Sequence, residues 1–202
     1  MRIAIFILMI FALSVVDASA AQFRQTCQTG SIVASTPTSR FTDNNDGTVT
    51  DTVTGLMWKK CSEGQTYDST SGGCDGTATT YTWQGALQQA AAVRTSGYAG
   101  DNDWRLPNIK ELASIVERQC VDPAVNLAVF PATPPDDFWS SSTYAGFSAG
   151  ADYIMFSDGQ EFVGQQGQSG TTYYSGPYDV RLVRGGQTVV GGSNGSGNGT
   201  GL

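Results

Sequence analysis

Four cysteines, Cys27, Cys61, Cys74 and Cys120, restrict this chain more than any other feature. They follow an opening that reads as an export signal: Met1-Arg2, the apolar run IAIFILMIFALSVV, then Asp17-Ala18-Ser19-Ala20. One basic residue, a short apolar core and a small-x-small end predict a secretory signal peptide over residues 1–20. The run is shorter than the ~20 apolar residues of a membrane span, so no membrane insertion is expected after cleavage. An even cysteine set in an exported chain predicts disulfides. Three pairings are possible. Cys61 and Cys74 bracket the Gly/Ser-rich segment SEGQTYDSTSGG, whose closure stabilises by about 3 kcal/mol in chain-entropy terms. That favours Cys61–Cys74 and leaves Cys27–Cys120. No pair has CxxC spacing, which disfavours a cysteine metal site.

Charge and composition remove whole classes of function. With a net charge of −7 and only 11 Lys and Arg, the chain repels nucleic acid and anionic membranes. It contains no histidine, which excludes Ser-His-Asp and Cys-His catalysis and every His-ligated metal site. Asp136, Asp137, Glu111 and Glu117 could supply a glycosidase pair, but nothing in the sequence fixes their separation. The expectation is therefore no enzyme.

Residues 21–40 are polar and read as an N-terminal arm. Thr48 to Asp51 and Leu56 to Lys59 read as a strand pair about a turn at Thr52–Gly55. Trp83, Ala86, Leu87, Ala90 and Val93 recur at helical spacing, with Thr82 as N-cap and Gly97 as terminator. Asn108 and Glu111 form a capping box for a second helix, whose stripe of Leu112, Ile115, Val116 and Gln119 ends near Cys120. Strands follow at Phe138–Ser141, Tyr153–Phe156 and Tyr178–Arg184. In the last, Tyr178, Val180 and Leu182 alternate with Asp179, Arg181 and Val183, predicting one core face. Residues 187–202 read as a flexible Gly/Ser/Asn-rich tail. Helices followed by antiparallel strands predict an α+β domain over 41–186.

The stretch DNNDGT, Asp43 to Thr48, crowds oxygen side chains together as a calcium loop does. An EF-type loop needs oxygens at positions 1, 3 and 5 and a closing Glu at 12. Counting from Asp43, position 5 is Gly47 and position 12 is Thr54. A tight turn with Gly47 at positive φ is favoured. Calcium held by Asp43, Asn45 and Asp46, with help from Asp101 or Asp103, is the lesser reading, and no cofactor is expected.

Five blocks in order, FTDNNDGTVTDTVTGLMWKKC, YTWQGALQQA, DWRLPNIKEL, FWSSS and DVRLVRGG, resemble the DUF1566 family, or Lcl C-terminal domain, from Phe41 to Gly186. The family takes its name from a collagen-like bacterial surface adhesin and is grouped with C-type lectin-like folds. The resemblance implies a C-type lectin-like domain, with two helices packed on small antiparallel sheets, displayed outside the cytoplasm and often used for adhesion. It implies no chemistry, because such folds host lectins, receptors and enzymes. This chain has no Gly-X-Y stalk, and its acidity weakens any carry-over of binding to sulfated glycans.

Trp58, Trp83, Trp104 and Trp139 lie inside these blocks and read as core. Arg105 and Arg181 read as partners of acidic residues. The run VGQQGQSGTTYYSGPY mixes rigid aromatics with adaptable polar groups, as binding loops do. Tyr173, Tyr174 and Tyr178, with Tyr144 and Phe147 in STYAGFSAG, are the candidate ligand contacts. The expected function is an exported, adhesin-like bacterial binding domain, secreted, periplasmic or on the cell surface, with an extracellular glycan or protein as partner. The alternative is a structural or assembly subunit of an appendage or envelope complex, possible as an oligomer.

Overall fold

A computed structural model describes residues 24–144, 150–165 and 176–185. The predicted signal peptide and tail, Phe147, Tyr173 and Tyr174 therefore lie outside the described residues. Strands β1 (Thr26–Cys27), β2 (Phe41–Asp43), β3 (Thr48–Asp51) and β4 (Leu56–Lys59) come first, with a 3₁₀ turn at Thr38–Arg40. Next come β5 (Thr66–Asp68), β6 (Gly73–Asp75), helix α1 (Trp83–Ser96) and helix α2 (Ile109–Ala113). The remainder is β7 (Cys120–Val121), β8 (Asp137–Thr143), β9 (Gly150–Met155), β10 (Gln160–Gln165) and β11 (Val183–Gly185).

These strands form four small sheets, ordered β11-β4-β3-β2, β10-β9-β8, β1-β7 and β5-β6. Every strand pair in them is antiparallel. This corrects the expectation of an α+β, C-type lectin-like domain. The described residues are chiefly small antiparallel sheets, and the helices are short, at 14 and 5 residues. The second helix stops early because the chain after it pairs with a later segment. Val116, expected on its buried stripe, instead bridges Val125, and the Glu117 amide donates to the Ala124 carbonyl.

Local signals explain where the helices begin. The Thr82 side chain accepts from the Gly85 amide, and Gly97 terminates α1 at φ 76°. At α2, Asn108 accepts from the Glu111 amide while the Glu111 carboxylate accepts from the Asn108 amide.

A buried carboxylate helps to stitch the N-terminal arm to the body. Glu117, 3 % exposed, accepts from the amides of Ser35, Thr36 and Gln119 and from the Thr36 hydroxyl. The Cys27–Cys120 disulfide joins β1 to β7 beside it, and Cys61–Cys74 closes the β5-β6 hairpin.

DNNDGT joins β2 to β3, a hairpin additional to the β3–β4 pair that the sequence predicts. Asn45 and Gly47 both have positive φ, 60° and 88°. Asp43 accepts from the Asn45 amide and pairs with Lys60 at 2.7 Å. Asp46 accepts from the Thr48 amide and hydroxyl. The oxygens that suggested calcium thus hold the turn. A Cβ on Gly47 would run into the Tyr98 hydroxyl, at a φ that L side chains rarely adopt. Gly47→Ala is expected to cost about 1–3 kcal/mol in urea unfolding, from backbone strain and contact together. An unchanged midpoint would mean that the hairpin and Tyr98 simply shift apart.

Two cores flank the β8–β10 sheet. Phe138, Ile154 and Phe156 join Trp58, Leu112 and Phe130 in one. Trp139, Tyr153 and Tyr178 join Trp104, Ala86 and Leu182 in the other. Trp58, Trp104 and Trp139 have no exposed surface, while Trp83 packs at the edge of the second core. The predicted single core face at 178–184 is corrected: Asp179 and Arg181 are 1 % and 0 % exposed, as deeply buried as Val180 and Leu182.

Candidate functional site

The β10-β9-β8 sheet brings two chain connections to one end. Gly150, the first residue of β9, pairs with Gln165, the last of β10. The Tyr144 amide, just past β8, donates to the Gly150 carbonyl at 3.1 Å. The connections at 145–149 and 166–175 therefore both leave from this end. The second is anchored again where the chain returns. Gly176 lies so close to the Trp139 indole that a Cβ would stand 3.0 Å from it, and Tyr178 exchanges two backbone hydrogen bonds with Tyr81, at 2.8 and 2.9 Å.

The frame behind these exits is stiff. Trp139 packs on Tyr153 and Tyr178, with ring centroids 6.0 and 4.4 Å apart, and its indole N–H donates to the Tyr81 carbonyl. Phe162 stacks on Tyr153 at 5.7 Å. The FWSSS serines serve the scaffold. Ser140 Oγ donates to the Asp152 carbonyl where β8 is irregular, and Ser142 Oγ accepts from the Ile109 amide.

Of the five expected contact residues, the described surface offers Tyr144, 46 % exposed. Tyr178 is corrected: at 7 % exposure it belongs to the core, wedged between Trp139 and Tyr153. Arg105 pairs with Glu111 through two parallel N–H bonds, 2.6 and 2.7 Å, which fix the segment leading into α2.

Within the returning chain, Asp179 and Arg181 are both buried, at 1 % and 0 % exposure. Arg181 donates to the carbonyls of Lys59 and Lys60, to Ser62 Oγ and to Thr133 Oγ1, with its guanidinium 4.9 Å from the Phe130 ring centroid. Neither Asp179 carboxylate oxygen has a hydrogen-bond partner among the described residues. Burial, with Asp136 and Asp137 nearby, pushes its carboxyl up to about 7 despite the attraction of Arg181. Asp137 is pushed up to about 6, first by burial and then by Asp136 and Asp158.

Among the described residues no group of three or more acidic or cysteine side chains is arranged to hold a metal ion. A shallow polar concavity follows α1, lined by residues 95–102 including Tyr98 and Asp101.

What fold and site define is a small, disulfide-tied, mostly-β domain with connections carried on a rigid sheet. The chain belongs to the Lcl C-terminal domain family, whose sequence profile matches residues 47–184. No curated protein and no solved structure matches it. Family and disulfides together are consistent with an extracellular bacterial domain. Among the described residues no helix is long and apolar enough to cross a membrane.

Proposed function

We propose that this chain is a non-catalytic, exported bacterial binding domain that recognises a glycan or a protein through the connections at 145–149 and 166–175. The observation that carries the reading is the Gly150–Gln165 pairing, which sends both connections out from one end of a rigid sheet. Loops held by a stiff frame are a common way to present contact residues, and Tyr offers large area at low entropy cost. Tyr144, Phe147, Tyr173 and Tyr174 are the proposed contacts. Tyr178 instead anchors the frame on which they are presented.

Glycan and protein arrays probed with the processed chain test this, with and without calcium. The paired change Tyr173→Ala and Tyr174→Ala is expected to weaken any detected binding ~30-fold, the range of a central aromatic contact, with an unchanged melting temperature. Tyr144→Ala should give a smaller loss. A stable oligomer that binds nothing on either array would overturn the reading in favour of an assembly role.

A further inference from the structure

Strand β10 is the outer strand of its sheet, which runs β10-β9-β8, and no further strand pairs with it among the described residues. Open edges usually carry a lysine, a proline, a bulge or a very short strand that blocks pairing with another chain. Here the edge is six residues, Gln160-Glu161-Phe162-Val163-Gly164-Gln165, without cation or proline. Its pairing with β9 is continuous, and the sheet's irregularity lies on the other side, between β8 and β9.

The side chains at this edge make a defined pattern. Val163 is 38 % exposed, and its cross-strand partner is Asp152. Glu161 lies two residues before Val163, hence on the same face, opposite Ile154. Thus an exposed aliphatic has one carboxylate beside it on β9 and another two residues along its own strand. Neither Asp152 nor Glu161 forms an ion pair among the described residues, whereas six ion pairs occur elsewhere. Burial without a compensating cation raises the Asp152 carboxyl above its ordinary value.

We infer that the β10 edge is a docking site for an extended protein segment of alternating basic and apolar residues, which adds as a fourth strand to the β10-β9-β8 sheet. Main-chain hydrogen bonds to β10 would supply affinity, and side chains on alternate positions would supply choice. On the Glu161–Val163 face a lysine of the added strand sets its ammonium against Glu161 and its methylene stem over Val163, with Asp152 adding negative charge one strand further in, while the apolar residues fall on the Phe162 face. A second copy of this chain fits less well, since its own edge is acidic and each copy carries a charge of −7. This surface is the long edge of the sheet, separate from the loop exits at its end.

The test titrates the processed chain with a synthetic nine-residue peptide alternating valine and lysine, against the same peptide with glutamate for lysine. Heteronuclear NMR reads amide shifts along β10. The expected result is saturable shifts at residues 160–165 and at least tenfold weaker binding of the glutamate peptide. Glu161→Lys, which places a blocking cation on the edge, should weaken the lysine peptide by at least tenfold. Tyr144→Ala should leave it unchanged, so failure here is separable from failure of the loop reading. Equal binding of both peptides, shifts elsewhere than β10, or no binding at all would overturn the inference. So would a concentration-dependent dimer in sedimentation that Glu161→Lys dissociates, because the occupant would then be a second copy.

Discussion

Arg181→Ala is expected to destabilise the domain by about 3–5 kcal/mol, the usual result of breaking a buried charged network on one side. The guanidinium has no exposed surface and ties together Lys59 and Lys60 at the end of β4, Ser62, and Thr133. Truncation leaves two carbonyls and two hydroxyls without this donor and opens a cavity against Phe130 and Phe138. At ~2–4 °C per kcal/mol for a chain of this size, the melting temperature should fall by about 10–15 °C. Arg181→Lys separates charge from shape. A lysine keeps the positive charge but cannot supply the planar fork, so it should recover less than half of the loss. If Arg181→Ala melts within 2 °C of wild type, the network is not what joins the returning chain to β4.

The same residue shows where sequence reasoning reached and where it stopped. Helix starts were legible because their causes lie within three residues: Thr82 with Gly85, and Asn108 with Glu111. The β3-β4 hairpin was legible because β-branched Thr48–Thr50 and the apolar run Leu56–Trp58 flank a short turn. The end of α2 was not, because Val116 leaves the helical stripe for Val125, a partner beyond its local window. Nor was the burial of Asp179 and Arg181, since alternation alone assigns charged positions to solvent. Their burial depends on β4, β8 and Thr133, which a local pattern does not register. Tyr178 carries two readings, core face of the alternating strand and loop contact, and Tyr81 and Trp139 draw its ring inside as the strand reading has it. The candidate contacts were chosen by composition, and composition does not distinguish a loop residue from the anchor that holds the loop.

The second large effect is a pH dependence that runs against the usual acid lability. Asp179 is pushed up to about 7 by burial and by Asp136, against an ordinary value of 3.8. Between those values the folded protein keeps a proton that the unfolded chain releases, so this group's contribution is complete below pH 3.8 and declines as pH rises through 7. Asp137, pushed up to about 6 by burial and by Asp136 and Asp158, acts in the same direction over a narrower window. Other carboxylates oppose them on the acid side. Burial pushes Glu117 up, but amide donors at Gln119, Ser35 and Thr36 hold it below its ordinary 4.5. Asp51 is likewise lowered, with Arg40 and Thr54 outweighing burial. Their stability is present above the ordinary carboxylate range and is lost as pH falls through their lowered folded values. Stability should therefore peak near pH 5, falling on both sides of it. On the alkaline side Asp179 alone is worth on the order of a few kcal/mol by linkage, so wild type should melt several degrees lower at pH 8 than at pH 5. Asp179→Asn keeps the shape, removes the titration and should flatten that limb, melting above wild type at pH 8 and close to it at pH 5. Calorimetry across pH 3–9 on both proteins decides the matter. A wild-type limb that stays level from pH 5 to 8, or one that survives in Asp179→Asn, would show that the carboxylate finds compensation in the folded state at every pH.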